Sequence, residues 1–385
     1  MLIHITKERL MHALQHVLKA VSANNPIPIL TGIHMEATAT GLILTGSHSS
    51  MSIDARIEQD GAALTVLATG SIVVSARYFY EIVRKLDDGL VIVDGIESAV
   101  IAAISTENTS IRLCGMDAAL YPKVNRIDDD STINRFRMTS GLLKSAIKQV
   151  AVAVSTSESR PVLTGVCMSY RGGSELQFTT TDGIRLATCS IPIDNHEDNL
   201  EPSDFIVPGR CMLDMASMLA DHETYIELEA SAQQIVFRTT ALHIQMASIE
   251  GAFPSANAII PRTYRSEITI ETAQLLLALE RATVLAGDRI VRLTANRERL
   301  CIVSRSAAIG DMKASVPIAA MKGDEFELSL NGKMLVDIVR CFDCRRLRLW
   351  YTGDRSPIVL QPAGKEGTSP VLYLLTPVRT PVQAG

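Results

Sequence analysis

The sequence predicts an α+β protein built from three copies of one domain, each with two helices and a set of antiparallel strands. Three observations carry this. The stretch Ala20-Val21-Ser22, followed by Pro28-Ile29-Leu30-Thr31-Gly32, returns as Ala153-Val154-Ser155 with Pro161-Val162-Leu163-Thr164-Gly165, at an ungapped offset of 133 residues. Ile72 to Arg77 matches Phe205 to Arg210, and Ile111 to Cys114 matches Ile244 to Ala247, at that same offset of 133. A repeat of this length is a whole domain rather than a solenoid unit. The chain of 385 residues leaves room for a third copy, which is fainter. Its marks are Glu327 to Lys333, where Arg210 would recur, and Tyr373 to Arg379, where the other copies have Tyr121-Pro122 and Phe253-Pro254.

Each copy reads in one element order. A short strand such as Leu2–Ile5 comes first. A helix follows, with Leu10, Leu14, Val17, Leu18 and Val21 near the 3.6-residue period. The Pro-x-Leu-Thr-Gly turn comes next, then alternating strands such as Gly41–Thr45 and Leu176–Thr180. Second helices are expected at Ala76–Leu86, Gly209–Leu219 and Gly332–Phe342, with more strands after each. One antiparallel sheet layer backed by helices is the expected domain. The expected boundaries are 1–127, 128–260 and 261–385, with linkers at Ile127–Ser131 and Ile260–Thr263 and a hairpin loop at Gly364–Ser369.

Composition narrows the function. The content of 47% apolar and 21% charged residues is ordinary for a globular protein. Seven scattered cysteines do not form a disulfide framework, and the lone Cys341-x-x-Cys344 lacks a second pair for zinc, so buried free thiols in a reducing cytosol are expected. No signal-peptide pattern and no membrane-length apolar run is found. Elbow, Walker and dinucleotide-binding motifs are absent. His12 and His16 lie four apart on the first helix, without a third ligand nearby, and read as a solvated helical face. Thr181-Asp182-Gly183-Ile184-Arg185 reads as a turn between strands. No cofactor is expected.

Charge is distributed unevenly. The helical segments 7–19, 75–86 and 139–154 carry +2 each, 208–220 carries zero, 271–286 carries −1 and 331–342 carries +1, in a chain of net charge −5. An acidic protein with positive helices can touch nucleic acid only through that local charge.

At this point the residues resemble a known family. The two Pro-x-Leu-Thr-Gly motifs, the segment from Val154 to Pro161, Thr181-Asp182-Gly183 with Arg185-Leu186-Ala187, and Leu374-Leu375-Thr376-Pro377-Val378-Arg379 are similar to the bacterial DNA polymerase III β subunit, the replicative sliding clamp. The resemblance runs through the chain in order. It implies a ring-forming DNA clamp fold: three clamp domains per chain, closed into six by a head-to-tail homodimer, with helices lining the hole and sheets outside. It implies a non-enzymatic processivity factor in the bacterial cytoplasm, associated with the nucleoid. Its partners would be double-stranded DNA, held without sequence preference, and the DNA polymerase III α subunit, the clamp loader and other proteins with a clamp-binding motif.

The resemblance also implies site residues. A partner-peptide pocket would comprise Leu163, Thr181, Gly183, Ile184, Arg185, Leu186, Pro254, Ile259, Leu374, Thr376, Pro377, Val378 and Arg379. DNA-facing candidates are Lys19, Arg77, Arg84, Lys85, Lys144, Lys148, Arg210, Arg281, Lys333 and Arg340. At the dimer interface, Val284 and Leu285 would face Ile111 and Leu113 of the other subunit. The chain departs from the family pattern where Ile184 replaces a usual His, where Thr376 replaces a larger apolar residue, and at the tail Pro381–Gly385. The rival readings are an enzyme without a recognised active site and a clamp-like scaffold paralogue that binds partner peptides without encircling DNA.

Overall fold

In a computed structural model of the chain, the described residues are 1–96, 100–122, 133–194, 202–219, 224–286, 290–364 and 371–378. The expected linker Ile127–Ser131, most of the loop 364–369, Arg379 and the tail 381–385 lie outside them.

The first copy runs β1 (Leu2–Thr6), α1 (Lys7–Val17), β2 (Gly32–Thr38), β3 (Gly41–His48), β4 (Met51–Glu58), β5 (Leu64–Ala68), β6 (Gly70–Ser75), α2 (Ala76–Lys85), β7 (Leu90–Ile96), β8 (Ile101–Ser105) and β9 (Ser110–Met116). The second runs β10 (Asn134–Thr139), α3 (Ser140–Val150), β11 (Gly165–Tyr170), β12 (Glu175–Thr181), β13 (Arg185–Pro192), β14 (Ser203–Pro208), α4 (Gly209–Met218), β15 (Tyr225–Ala230), β16 (Gln234–Arg238) and β17 (Leu242–Ala247). The third runs β18 (Ser266–Glu271), α5 (Thr272–Leu285), β19 (Ile290–Ala295), β20 (Arg299–Ser306), β21 (Gly310–Gly323), β22 (Phe326–Asn331), α6 (Gly332–Arg340), β23 (Arg346–Tyr351), β24 (Ile358–Pro362) and β25 (Val371–Leu375).

Local chemistry explains the repeated elements. α1 buries Leu10, Ala13, Leu14 and Val17, one stripe of a 3.6-residue period. The Pro-x-Leu-Thr-Gly motif is a 3-10 turn that proline starts and threonine ties. Thr31 Oγ1 donates to the Pro28 carbonyl at 2.7 Å, and Thr164 Oγ1 does the same to Pro161 at 2.7 Å. The closing glycine admits a close strand. A Cβ on Gly32 would lie 2.6 Å from Val73 Cγ1, and one on Gly165 would lie 2.5 Å from Ile206 Cγ2.

The chain divides into two compact units. The first holds copy one together with β10 and β15–β17, in a 13-stranded sheet ordered β10-β15-β16-β17-β4-β3-β2-β6-β9-β8-β7-β1-β5. Its helices α1 and α2 pack on each other. The second holds the rest of copy two with copy three, in a 12-stranded sheet ordered β14-β11-β12-β13-β25-β24-β23-β18-β21-β20-β19-β22. There α3 packs on α4 and α5 on α6. The expectation of one sheet layer per copy is therefore corrected: copy two splits its strands between two sheets. The cause is strand pairing across copies. In the first unit β4 pairs antiparallel with β17, setting Ile53 opposite Ile244. In the second β13 pairs with β25, setting Ala187 opposite Tyr373.

Among the described residues, and besides the terminal strands β10, β5, β14 and β22, the inner strands β9 and β21 each keep a stretch paired on one side only. The Ser110–Cys114 part of β9 pairs with β8, and β6 reaches only Gly115 and Met116. The Gly310–Pro317 part of β21 pairs with β20, while β18 takes the part from Ile318 to Gly323.

Gly165→Ala is expected to lower stability by about 1–3 kcal/mol, as overpacking against Ile206 and the Val207 carbonyl does in a filled core. Urea unfolding with an unchanged midpoint would refute this account of the motif.

Candidate functional site

The site is built from the β12–β13 turn. Asp182 Oδ1 accepts from the amides of Ile184 and Arg185, both at 2.9 Å, and Asp182 Oδ2 accepts from Arg185 Nε at 3.0 Å. Thr181 Oγ1 donates to the Arg185 carbonyl at 2.7 Å and accepts from the Gly183 amide at 3.1 Å. Gly183 has φ +88°, which a side chain would strain. The turn presents Ile184 outward, 48% exposed. Arg185 is drawn inward: its Nη1 also lies 3.6 Å from Asp337 Oδ2 of α6, so two carboxylates fix the guanidinium.

Beside this turn lies a depression of about 200 Å³ within the second unit. Buried Leu163, Leu186 and Leu374 form its base. Pro254 and Ile259 wall it from the segment between β17 and β18, and that segment packs down through Ala256 and Ile260 onto Leu186, Leu374 and Val359. Thr181, Gly183, Ile184, Arg185 and Thr376 are the other expected residues that line it. The Thr376 amide donates to the Ile184 carbonyl at 3.0 Å, which continues the β13–β25 pairing to the rim. Pro377 and Val378 are half-buried but do not line the cavity; the Val378 amide turns to the Ser329 carbonyl at 2.8 Å. Arg379 lies outside the described residues. Arg160 and Pro357 also line it and were missed. Arg160 adjoins the repeated motif and was findable there; Pro357 precedes β24 and carries no repeat signal.

The equivalent place in the first unit is not apolar. Following the strand pairs from Gly32 and Gly165, Ser52 opposite Gln245 holds the position of Leu186 opposite Leu374. Around it Thr45 donates to Asp54 Oδ1 at 2.8 Å, and the His34 and Tyr121 rings stack at 5.2 Å. Burial holds the His34 pKa below its ordinary value. Polar side chains thus stand at this seam where two leucines stand at the other.

The charged candidates are all on or next to helices, and most are exposed. Lys19 and Lys144 are half-exposed, and Lys144 Nζ donates to the Leu219 carbonyl at 2.8 Å. Arg77, Lys85, Lys148, Arg210, Arg281 and Lys333 are exposed. Arg84 pairs with Glu81 at 2.7 Å and Arg340 with Glu280 at 2.8 Å, which offsets their charge locally. The reading of His12 and His16 as a solvated face is half right. Their rings touch at 4.5 Å, and burial, with His12 and Lys19 nearby, pushes His16 down to about 4. It is neutral at pH 7, so α1 draws its positive charge from Lys and Arg. The cysteines are free, and Cys114 is exposed rather than buried. Burial pushes the Cys167 and Cys211 thiols up to about 11, where they are unreactive. Val284 is 77% exposed, and Leu285, Ile111 and Leu113 are partly exposed.

Residues 1–125, 137–255 and 257–376 match the family profiles described as the N-terminal, central and C-terminal domains of the DNA polymerase III beta subunit. The chain is 32% identical over 383 residues to the beta sliding clamp of Bacillus subtilis, covering 98% of this chain and 99% of that one. It is 30% identical over 382 residues to the beta sliding clamp of Staphylococcus aureus, covering 98% of each. The crystal structure of the Bacillus subtilis sliding clamp superposes with a TM-score of 0.92, covering 99% of this chain and 100% of that one. A Thermotoga maritima beta subunit, 20% identical, shares the fold at a TM-score of 0.87, covering 99% of this chain and 100% of that one.

Asp182→Ala removes the acceptor for two amides and one partner of Arg185. Hydrogen exchange at Ile184 and Arg185 should speed up, and stability should fall by about 1–3 kcal/mol. Unchanged exchange at both amides would show that the turn holds without Asp182.

Proposed function

This chain belongs to the DNA polymerase III beta subunit family, the β sliding clamps, and we propose that it acts as a dimeric ring around duplex DNA. It is a non-catalytic processivity subunit with DNA and polymerase as partners. The ring would tether the DNA polymerase III α subunit and would also receive the clamp loader and other proteins with a clamp-binding motif. Its place would be the bacterial cytoplasm, at the nucleoid. The domains would run 1–127, 128–260 and 261–385.

The observation that carries the ring is that β9 and β21, strands inside the sheets, each keep a stretch paired on one side only. Copies one and two join through β4 and β17, and copies two and three through β13 and β25. Copy three leaves β21 open and copy one leaves β9 open. A second chain fills both, and a head-to-tail contact closes when the rotation is a half turn. Exposed Val284 and partly exposed Leu285 on α5, with Ile111 and Leu113 on β9, supply apolar surface for that joint.

Thin positive charge suits sliding. Phosphate contacts position a protein without reading sequence, and a few weak ones leave it free to move. The second reading, a scaffold that does not encircle DNA, draws on α4 and α5, whose segments carry zero and −1. Retention separates the two. After loading, the protein should stay on circular DNA and leave on linearisation. Combined Lys19, Lys85 and Lys148→Ala should weaken DNA binding equally for every sequence. Each lost phosphate contact should reduce the salt slope by about 0.9. Equal loss from circular and linear DNA would remove the ring reading.

The pocket suits a short peptide with aliphatic or aromatic anchors, because its base is leucine and its outer edge is Ile184 and Ile259. Deleting residues 376–385 should abolish binding of a clamp-binding-motif peptide in calorimetry while leaving the chain folded, since Val371–Leu375 pair with β13 and Tyr373–Leu375 also pair with Ile358–Leu360 of β24. Equal affinity for the deleted and intact chains would rule the pocket out.

A further inference from the structure

We propose that Arg112 of one chain stands opposite Asp311 of a second, in a β9–β21 seam whose register follows the rule of the two seams inside the chain. This deepens the reading of the protein as a head-to-tail dimer and rests on it.

The register follows from strand pairing alone. Gly32 faces Ser75, Gly165 faces Pro208 and Ile290 faces Asn331, each partner immediately preceding a second helix, so these three positions correspond. Two residues on, His34 faces Thr45, Cys167 faces Thr179 and Arg292 faces Val303. Those in turn face Asp54, Thr188 and Lys313. Ile53, Ala187 and Met312 are therefore one position in three copies.

The other side of the seam is found likewise. Ile3 faces Val93, which faces Ile104, which faces Ile111. Ile268 faces Leu349, which faces Leu360, which faces Tyr373. Ile3 and Ile268 sit equally far before their helices, so Ile111 corresponds to Tyr373, and the sequence repeat matches it to Ile244. Inside the chain, Ile53 faces Ile244 and Ala187 faces Tyr373. Met312 must then face Ile111 of the second chain, which sets Asp311 against Arg112 and Lys313 against Ser110.

The pattern of exposure agrees with this register. Along β9, Ile111 and Leu113 are sheltered while Ser110, Arg112 and Cys114 are exposed; along β21, Met312 and Ala314 are sheltered while Asp311 and Lys313 are exposed. The derived register lays sheltered Met312 on sheltered Ile111 and unlike charges on each other. A slip of one residue would set Arg112 against Met312 or Gly310 and turn one strand's apolar face outward. Asp311 also faces Arg305 within its own chain, so the seam would carry the row Arg305, Asp311, Arg112. The same seam position is Leu186 with Leu374 at the pocket and Ser52 with Gln245 in the first unit. One register position thus takes an apolar, a neutral polar and a charged pair.

The test uses the full chain. Sedimentation should find a wild-type dimer. Arg112→Asp and Asp311→Arg should each raise the dimer dissociation constant by about tenfold or more, since both seams of the ring carry the pair. Asp311→Arg should be the worse, because Arg305 then faces a like charge, and the double variant should recover most of the loss. Circular dichroism should show every variant folded. With Cys114→Ser, the pair Ser110→Cys and Lys313→Cys should form a covalent dimer under mild oxidation, as directly opposite residues can. Lys313→Cys alone, with native Cys114 retained, should not. A wild-type chain that is monomeric at every concentration overturns the dimer reading itself. A wild-type dimer indifferent to both charge reversals, or cross-linking through Cys114 instead of Ser110→Cys, overturns the register and leaves the dimer standing.

Discussion

The antiparallel pairing of one copy's hairpin strand with the next copy's last strand is the contact on which the rest of this structure depends. It joins β4 to β17 and β13 to β25, and makes large sheets from small repeats. A side-chain period of two makes the pairing strict, because a one-residue slip reverses both faces. Ile53 on Ile244 and Ala187 on Tyr373 hold the helix-backed side. Tyr373 is fully buried, and its hydroxyl donates to the Gln149 carbonyl at 3.1 Å, which pins the last strand to the end of α3.

The outer side of the same seams varies, and the pocket sits there. A pair of leucines and a covering segment with Pro254 and Ile259 make a pocket at one seam. Serine and glutamine hold the same position at the other seam. Duplicating the domain therefore repeated the scaffold without repeating the leucine pair. The helices are a second independent layer: they pack in pairs, and their outward Lys and Arg side chains are partly offset by Glu81 and Glu280.

Much of this was legible in the chain. Periodic apolar residues fixed the helices to within a few residues of their ends, because burying one stripe is a local decision. Pro-x-Leu-Thr-Gly marked the turn because proline, threonine and glycine each answer a backbone demand there. Most pocket residues were identified through the family resemblance, while Pro357 was invisible because it meets the site only after β24 folds beside β25.

By itself, then, the sequence determined the repeat, the element order, the helix faces and the weak positive charge upon them. These follow from the chemistry of nearby residues. Tertiary structure decided how the copies share strands, why copy two divides between two sheets, and which edges remain open. It also decided that Arg185 is fixed between Asp182 and Asp337, residues far apart in the chain. Strand partners are chosen over long separations by which faces match and which edges are left, and no local pattern encodes that choice.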